Sequence, residues 1–202
     1  MKTHIIIAVL LTQLAARGQD TIGKHYDLAK VVTIVALEEK YPASSSEYQY
    51  FAPLKTRFSE AEDVAQARLW IRDAQVEDSV GPFIGHLCHF AMLNSDKDVI
   101  AMGSILNYAC LCSIHGAHRD KKGRIVADYG KNSFGFTSRP LVKAFYKRLQ
   151  AQDPEHMKAL TELYGKKESA LEHLLFDETN ANKTAPLPTG INPTTSTPTP
   201  RP

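Results

Sequence analysis

Val99-Ile-Ala-Met102-Gly-Ser-Ile-Leu106-Asn-Tyr-Ala-Cys110-Leu-Cys112-Ser-Ile114 runs through the middle of the chain without one charged side chain. Met102, Leu106, Ala109 and Cys110 recur within it at helical spacing, which predicts a long buried helix at the centre of the fold. The flanks extend the pattern. Upstream, Phe83, Ile84, Leu87, Cys88 and Ala91 form one face of a second expected helix, separated from the first by the turn Asn94-Ser-Asp-Lys-Asp98. Downstream, Ile114 leads into His115-Gly-Ala-His118 and then into the basic turn Asp120-Lys121-Lys122-Gly123-Arg124.

Further out, Leu28 to Tyr41 carries a stripe of Leu28, Val31, Val32 and Val35 and is expected to be helical. Ser59 with Glu62 suggests a capping box, followed by Val64, Ala67, Ile71 and Ala74 on one face, with Trp70 anchoring the core edge. Pro140 opens a helix with Leu141, Phe145 and Leu149 inward. Asp153-Pro154 opens another to Tyr164, and a last one spans Lys167 to about Phe176. Arg124–Tyr129 and Ser133–Thr137 suit a small β-hairpin around Gly130-Lys-Asn132. The fold class expected is therefore mainly α: a single compact domain of about six helices with a possible hairpin at 124–137.

The ends carry a different composition. Met1-Lys2-Thr3-His4, the apolar run Ile5–Leu11 and the small residues Ala16 and Gly18 match a secretory signal peptide over 1–18. The apolar run is short of the ~20 residues a bilayer requires, so no transmembrane anchor is expected. A helical domain would fill 19–178, and a Thr/Pro-rich, disordered tail would follow over 179–202. Asn182-Lys-Thr184 in that region is an N-glycosylation triplet. The protein reads as a secreted, extracellular glycoprotein with a non-enzymatic role in binding or extracellular structure. The alternative is a retained N-terminal helix and an intracellular location.

All three cysteines fall between Cys88 and Cys112. In an oxidising compartment the expected arithmetic is one disulfide among Cys88, Cys110 and Cys112 and one free thiol. Read as a helix, Cys112, His115 and His118 share a face and become candidate metal ligands, but no C-x₂-C knuckle accompanies them, and core cysteines are the simpler account. Cys112 near His115 is also a conceivable thiol–imidazole pair. No nucleophile elbow, H-E-x-x-H or phosphate loop appears in the chain, so no catalytic residue and no cofactor is assigned. His118 to Tyr129 resembles an EF-hand loop in Gly123 and Ile125, two residues apart, but its first, fifth and twelfth ligand positions are His118, Lys122 and Tyr129, which do not supply the carboxylates calcium needs.

Charge supplies the remaining functional signal. Glu38 to Asp78 holds nine acids and five bases, whereas Arg119 to Arg148 holds nine bases and two acids. That asymmetry suggests a basic face built from Arg119, Lys121, Lys122, Arg124, Lys131, Lys143, Lys147 and Arg148. Its expected partner is an acidic macromolecule or surface: a glycan, an acidic protein or a mineral. With Tyr129, Phe134 and Phe136 interleaved, a single-stranded nucleic acid becomes the partner if the protein is not secreted, as in a nucleocapsid-like RNA-binding domain. The third alternative is an enzyme or metal-site protein using the Cys/His cluster. Charge reversal at Lys121, Lys122 and Arg124 together is expected to abolish polyanion binding and leave the domain folded.

Overall fold

The computed structural model describes residues 20–40, 49–77, 85–106, 110–129 and 132–164. The leader, the Asn182 triplet, the Thr/Pro tail and the expected helix from Lys167 lie outside these residues. Within them the chain is a β protein, which corrects the helical expectation. Seven antiparallel strands and three α-helices are present among the described residues. In chain order they are β1 (Thr33–Lys40), β2 (Tyr50–Phe58), α1 (Ala61–Arg72), β3 (His86–Leu93), β4 (Val99–Leu106), β5 (Leu111–Arg119), β6 (Ile125–Asp128), β7 (Phe134–Thr137), α2 (Arg139–Gln152) and α3 (Pro154–Tyr164).

The stretch expected to be the central helix is two strands, β4 and β5, paired antiparallel from Met102↔His115 to Ile105↔Cys112. The expected helix before it is β3, which pairs with β4 on one side and β1 on the other. The physical reason is burial on both faces. Cys88, Phe90, Met92, Ala101, Ile105, Cys112 and Ile114 point into one apolar cluster, while Ala91 and Met102 point into another. A strand covered on both sides needs no polar alternation, so its apolar run imitates a buried helix. The expected Leu28–Tyr41 helix is likewise a short 3-10 turn, Leu28–Lys30, followed by β1. Its β-branched Val31-Val-Thr-Ile-Val35 favours the extended chain.

Six strands close into a barrel. β4 pairs β3, β3 pairs β1, β1 pairs β2, β2 pairs β6, β6 pairs β5, and β5 returns to β4. β6 and β7 do not face each other as the expected hairpin would. β6 pairs with Gly116–Arg119 and β7 with Leu111–Ile114, so they follow one another along β5. Among the described residues, β2 and β6 share the single pair Phe51↔Ile125.

The inner cluster (Leu37, Phe51, Ala91, Met102 and Ile125, with Ala117 packed on it) draws on all six of those strands and on no helix, which identifies the inside of the barrel. The outer cluster packs the opposite strand faces against α1, α2 and Met157 of α3. On α1, Val64, Ala67 and Ile71 are buried as their spacing predicts, but the N-cap is Glu60 and carries no side-chain capping bond. On α2, Leu141, Phe145 and Leu149 face the core as expected, joined by Val142 and Tyr146.

The disulfide expectation is also overturned. The three cysteines are free thiols. Cys88 is opposite Ile105, and Ile105 is opposite Cys112, so β4 lies between the two buried thiols. Strands two apart are separated by ~9–10 Å, beyond the ~7 Å that a disulfide spans between Cα atoms. Burial raises the thiol pKa of both, leaving Cys88 and Cys112 as packed apolar groups.

Gly103 of β4 sits beneath the Phe90 ring, its partner on β3. A Cβ there would overlap Phe90 Cζ and stand 2.5 Å from the Ser113 carbonyl oxygen. Gly103→Ala is therefore expected to cost about 2–3 kcal/mol, as overpacking of a close-fitted core does. The urea midpoint measures it. An unchanged midpoint would mean that the Phe90 ring swings clear.

Candidate binding site at the mouth of the barrel

The β5–β6 turn is built by one carboxylate. Asp120 Oδ1 accepts from the backbone N–H of Lys122 and of Arg124, each at 2.9 Å, and Oδ2 accepts from Arg124 Nε at 2.7 Å. Gly123 takes φ +75°, which the tight turn requires. Arg119 closes it from β5, donating Nη1 to the Gly123 carbonyl at 2.8 Å and reaching the Lys97 carbonyl at 3.3 Å. The Arg124 guanidinium also lies 4.6 Å above the Tyr50 ring of β2.

These contacts hold the turn over one mouth of the barrel. Between it and β2 lies a cavity of about 420 Å³. Val35, Leu37, Phe51, Leu93 and Ile125 form its floor, continuous with the barrel interior, and Leu54 forms part of its wall. Arg57, Arg119, Lys122 and Arg124 line it as well, and no acidic residue does among those described. Among the described residues β2 and β6 meet at Phe51↔Ile125 alone, and the cavity lies where they part.

The basic residues expected from the sequence are thus divided. Arg119, Lys122 and Arg124 meet at the cavity, with exposed Lys121 beside them in the turn. Lys143, Lys147 and Arg148 lie on α2, the helix that covers the outer cluster. Arg148 is engaged there, ion-paired to Asp63 of α1 and 4.5 Å above the Phe58 ring. Lys131 lies outside the described residues. Arg57 was missed, since it sits in the acid-rich half of the chain, and only its place opposite Val35 brings it to the mouth. The interleaved aromatic residues are largely used internally. Phe136 is fully buried, Phe134 packs against His25 and Tyr26, and exposed Tyr129 packs its ring against His115.

The Cys/His candidates separate because a strand turns alternate residues to opposite sides. Cys112 joins the outer cluster, His115 is buried on the inner side beside Met102, and His118 is exposed. Among the described residues no three His, Cys, Asp or Glu side chains stand where they would hold a metal ion. The barrel does gather another polar group. His89 shares a 2.7 Å hydrogen bond between Nδ1 and Ser104 Oγ, stacks on Phe51 at 4.7 Å and on His86 at 4.5 Å, and has Glu39 3.9 Å from Nε2. His115 donates Nδ1–H to the Gly116 carbonyl at 3.0 Å. His86 Nδ1 and His115 Nε2 are buried without partners.

Serine, histidine and glutamate in a row suggest nucleophile, base and orienting acid, but the energetics oppose it. Burial, reinforced by the neighbouring imidazoles His86, His115 and His156, pushes His89 down to about 3. A general base works best with a pKa near the working pH, and an imidazole this weak leaves the Ser104 proton in place at neutral pH. The Cys112 thiol, raised far above its ordinary value and pointing away from His115, is no better as a nucleophile.

No protein-family model, curated protein or solved structure matches this chain.

Proposed function

We propose that this is a secreted, non-enzymatic binding protein that holds an acidic partner at the cationic mouth of the barrel. One observation carries the reading. Cations from β2, β5 and the β5–β6 turn surround a single cavity whose described lining contains no acid. Guanidinium groups suit this role because their planar forks pair with carboxylate, sulfate or phosphate oxygens. The leader-like 1–18 segment and the Thr/Pro tail support an extracellular setting.

The test avoids Arg119 and Arg124, whose bonds build the turn. Arg57, Lys121 and Lys122 are exposed and are replaced together by Glu. The variant is expected to keep the wild-type urea midpoint and to lose retention on a heparin column. For the Ala triple variant, the log–log salt slope of binding should fall by about one per cation removed. Undiminished retention of the folded Glu variant overturns the reading.

A further inference from the structure

We infer that the acidic partner is a small amphiphile, a single-chain alkyl carboxylate whose head meets the cations and whose chain enters the barrel mouth. The inference rests on the cationic-mouth reading and goes beyond it, because a polyanion needs only the charges. What a polyanion leaves unexplained is the floor. Val35, Leu37, Phe51, Leu93 and Ile125 belong to or pack on the barrel's inner apolar cluster, yet they also line the cavity. Val35, Leu54 and Leu93, half-buried on the cavity wall beside Arg57, Arg119, Lys122 and Arg124, offer apolar surface that complements a ligand with an anionic end and an apolar end, while Leu37, Phe51 and Ile125 close the bottom.

The geometry narrows the class. The cavity is about 420 Å³, near the lower end of the ~300–1,000 Å³ typical of ligand pockets, which suits one alkyl chain and not the paired chains of a membrane lipid. The cations come from both sides of the opening, Arg57 from β2 and Arg119, Lys122 and Arg124 from β5 and its turn. A carboxylate seated between them leaves its chain lying along the half-buried Val35, Leu54 and Leu93, above the closed floor. Arg57 is exposed on β2, Arg119 is held at the opening by the Gly123 and Lys97 carbonyls, and the Arg124 guanidinium is held there by Asp120.

Calorimetric titration of the full chain with octanoate, decanoate and dodecanoate, below micelle-forming concentrations, tests this. Affinity is expected to rise about fourfold per added methylene while the chain still finds apolar wall, following the free energy of burying a CH₂ group. Dodecyltrimethylammonium, with the same chain and a cationic head, should bind at least tenfold more weakly than dodecanoate. Leu93→Trp, at a half-buried lining position of β3 that pairs with Thr33 and Val99, places bulk on the cavity wall without touching a charge. It should remove dodecanoate binding and spare heparin retention, with the urea midpoint confirming the fold. The Arg57/Lys121/Lys122→Glu variant should lose both ligands.

Heparin retention by the wild type without chain-dependent carboxylate binding overturns this inference and leaves the cationic-mouth reading intact. Loss of neither ligand in the folded Glu variant overturns both. Equal affinity for the cationic and anionic amphiphiles, or unchanged dodecanoate affinity in folded Leu93→Trp, also overturns the assignment.

Discussion

Between pH 6.5 and pH 4 the protein is expected to lose about 3 kcal/mol of stability through His89 alone. In the unfolded chain this imidazole takes a proton near its ordinary value of about 6.5, whereas in the barrel burial and neighbouring imidazoles delay protonation to about 3. The unfolded state therefore binds the extra proton throughout that window. A depressed histidine contributes its full share above pH 6.5, and the share shrinks as pH falls toward 3, by about 1.4 kcal/mol per unit. His86 and His115, both lowered chiefly by burial, add in the same direction, although Glu39 partly offsets the effect at His86. Asp153 is held below its usual range because hydrogen bonds from Thr56 and Lys55 outweigh its desolvation, so its contribution is lost only at lower pH, below about 4. Urea midpoints measured from pH 7.5 to pH 4 should slope steadily, and His89→Gln should flatten the upper part of the curve. A wild-type profile that stays level down to pH 4.5 would refute the buried-imidazole account.

Asp153→Ala should be comparably damaging, at about 3 kcal/mol, although the residue touches neither the cavity nor the barrel interior. The register of β1 against β2 shifts between Val35↔Arg57 and Leu37↔Pro53, a bulge that places Leu54, Lys55 and Thr56 opposite Ala36. Asp153 takes the donors of that bulge. Its carboxylate accepts from Lys55 N at 3.0 Å, from Thr56 N at 2.6 Å and from the Thr56 hydroxyl at 2.5 Å. Thr56 is fully buried, so truncation leaves its N–H and hydroxyl without water or partner. Asp153→Asn keeps one acceptor oxygen and should fall about midway. Denaturant midpoints of the two variants decide the matter, and a loss below about 1 kcal/mol for Ala would show that the bulge is held by other contacts.

The parts of the fold legible from sequence are those with one buried face. α1 and α2 show it plainly: Val64, Ala67 and Ile71, and Leu141, Phe145 and Leu149, are apolar at helical spacing because solvent lies behind them. β3, β4 and β5 have helices on one side and the barrel interior on the other, so polar punctuation disappears and helical spacing arises by coincidence. Gly103 and the β-branched residues of β1 were the local hints of extended chain. The cations of the β5–β6 turn were visible because they are neighbours in sequence. Arg57 and the floor residues Leu37, Phe51 and Leu93 were not, since they come from three different strands and only closure of the barrel assembles them. Asp153 was expected to cap its own helix, yet it serves a strand almost a hundred residues away.

Among the described residues a single rung, Phe51 to Ile125, joins β2 to β6, and it gives the proposed ligand a second meaning. A molecule lodged beside that rung bridges the two strands where backbone pairing is sparsest, so it acts as a clasp as well as a cargo. Occupancy then sets how firmly the cylinder stays shut, and resistance to unfolding grows with the logarithm of free ligand concentration once the site is saturated.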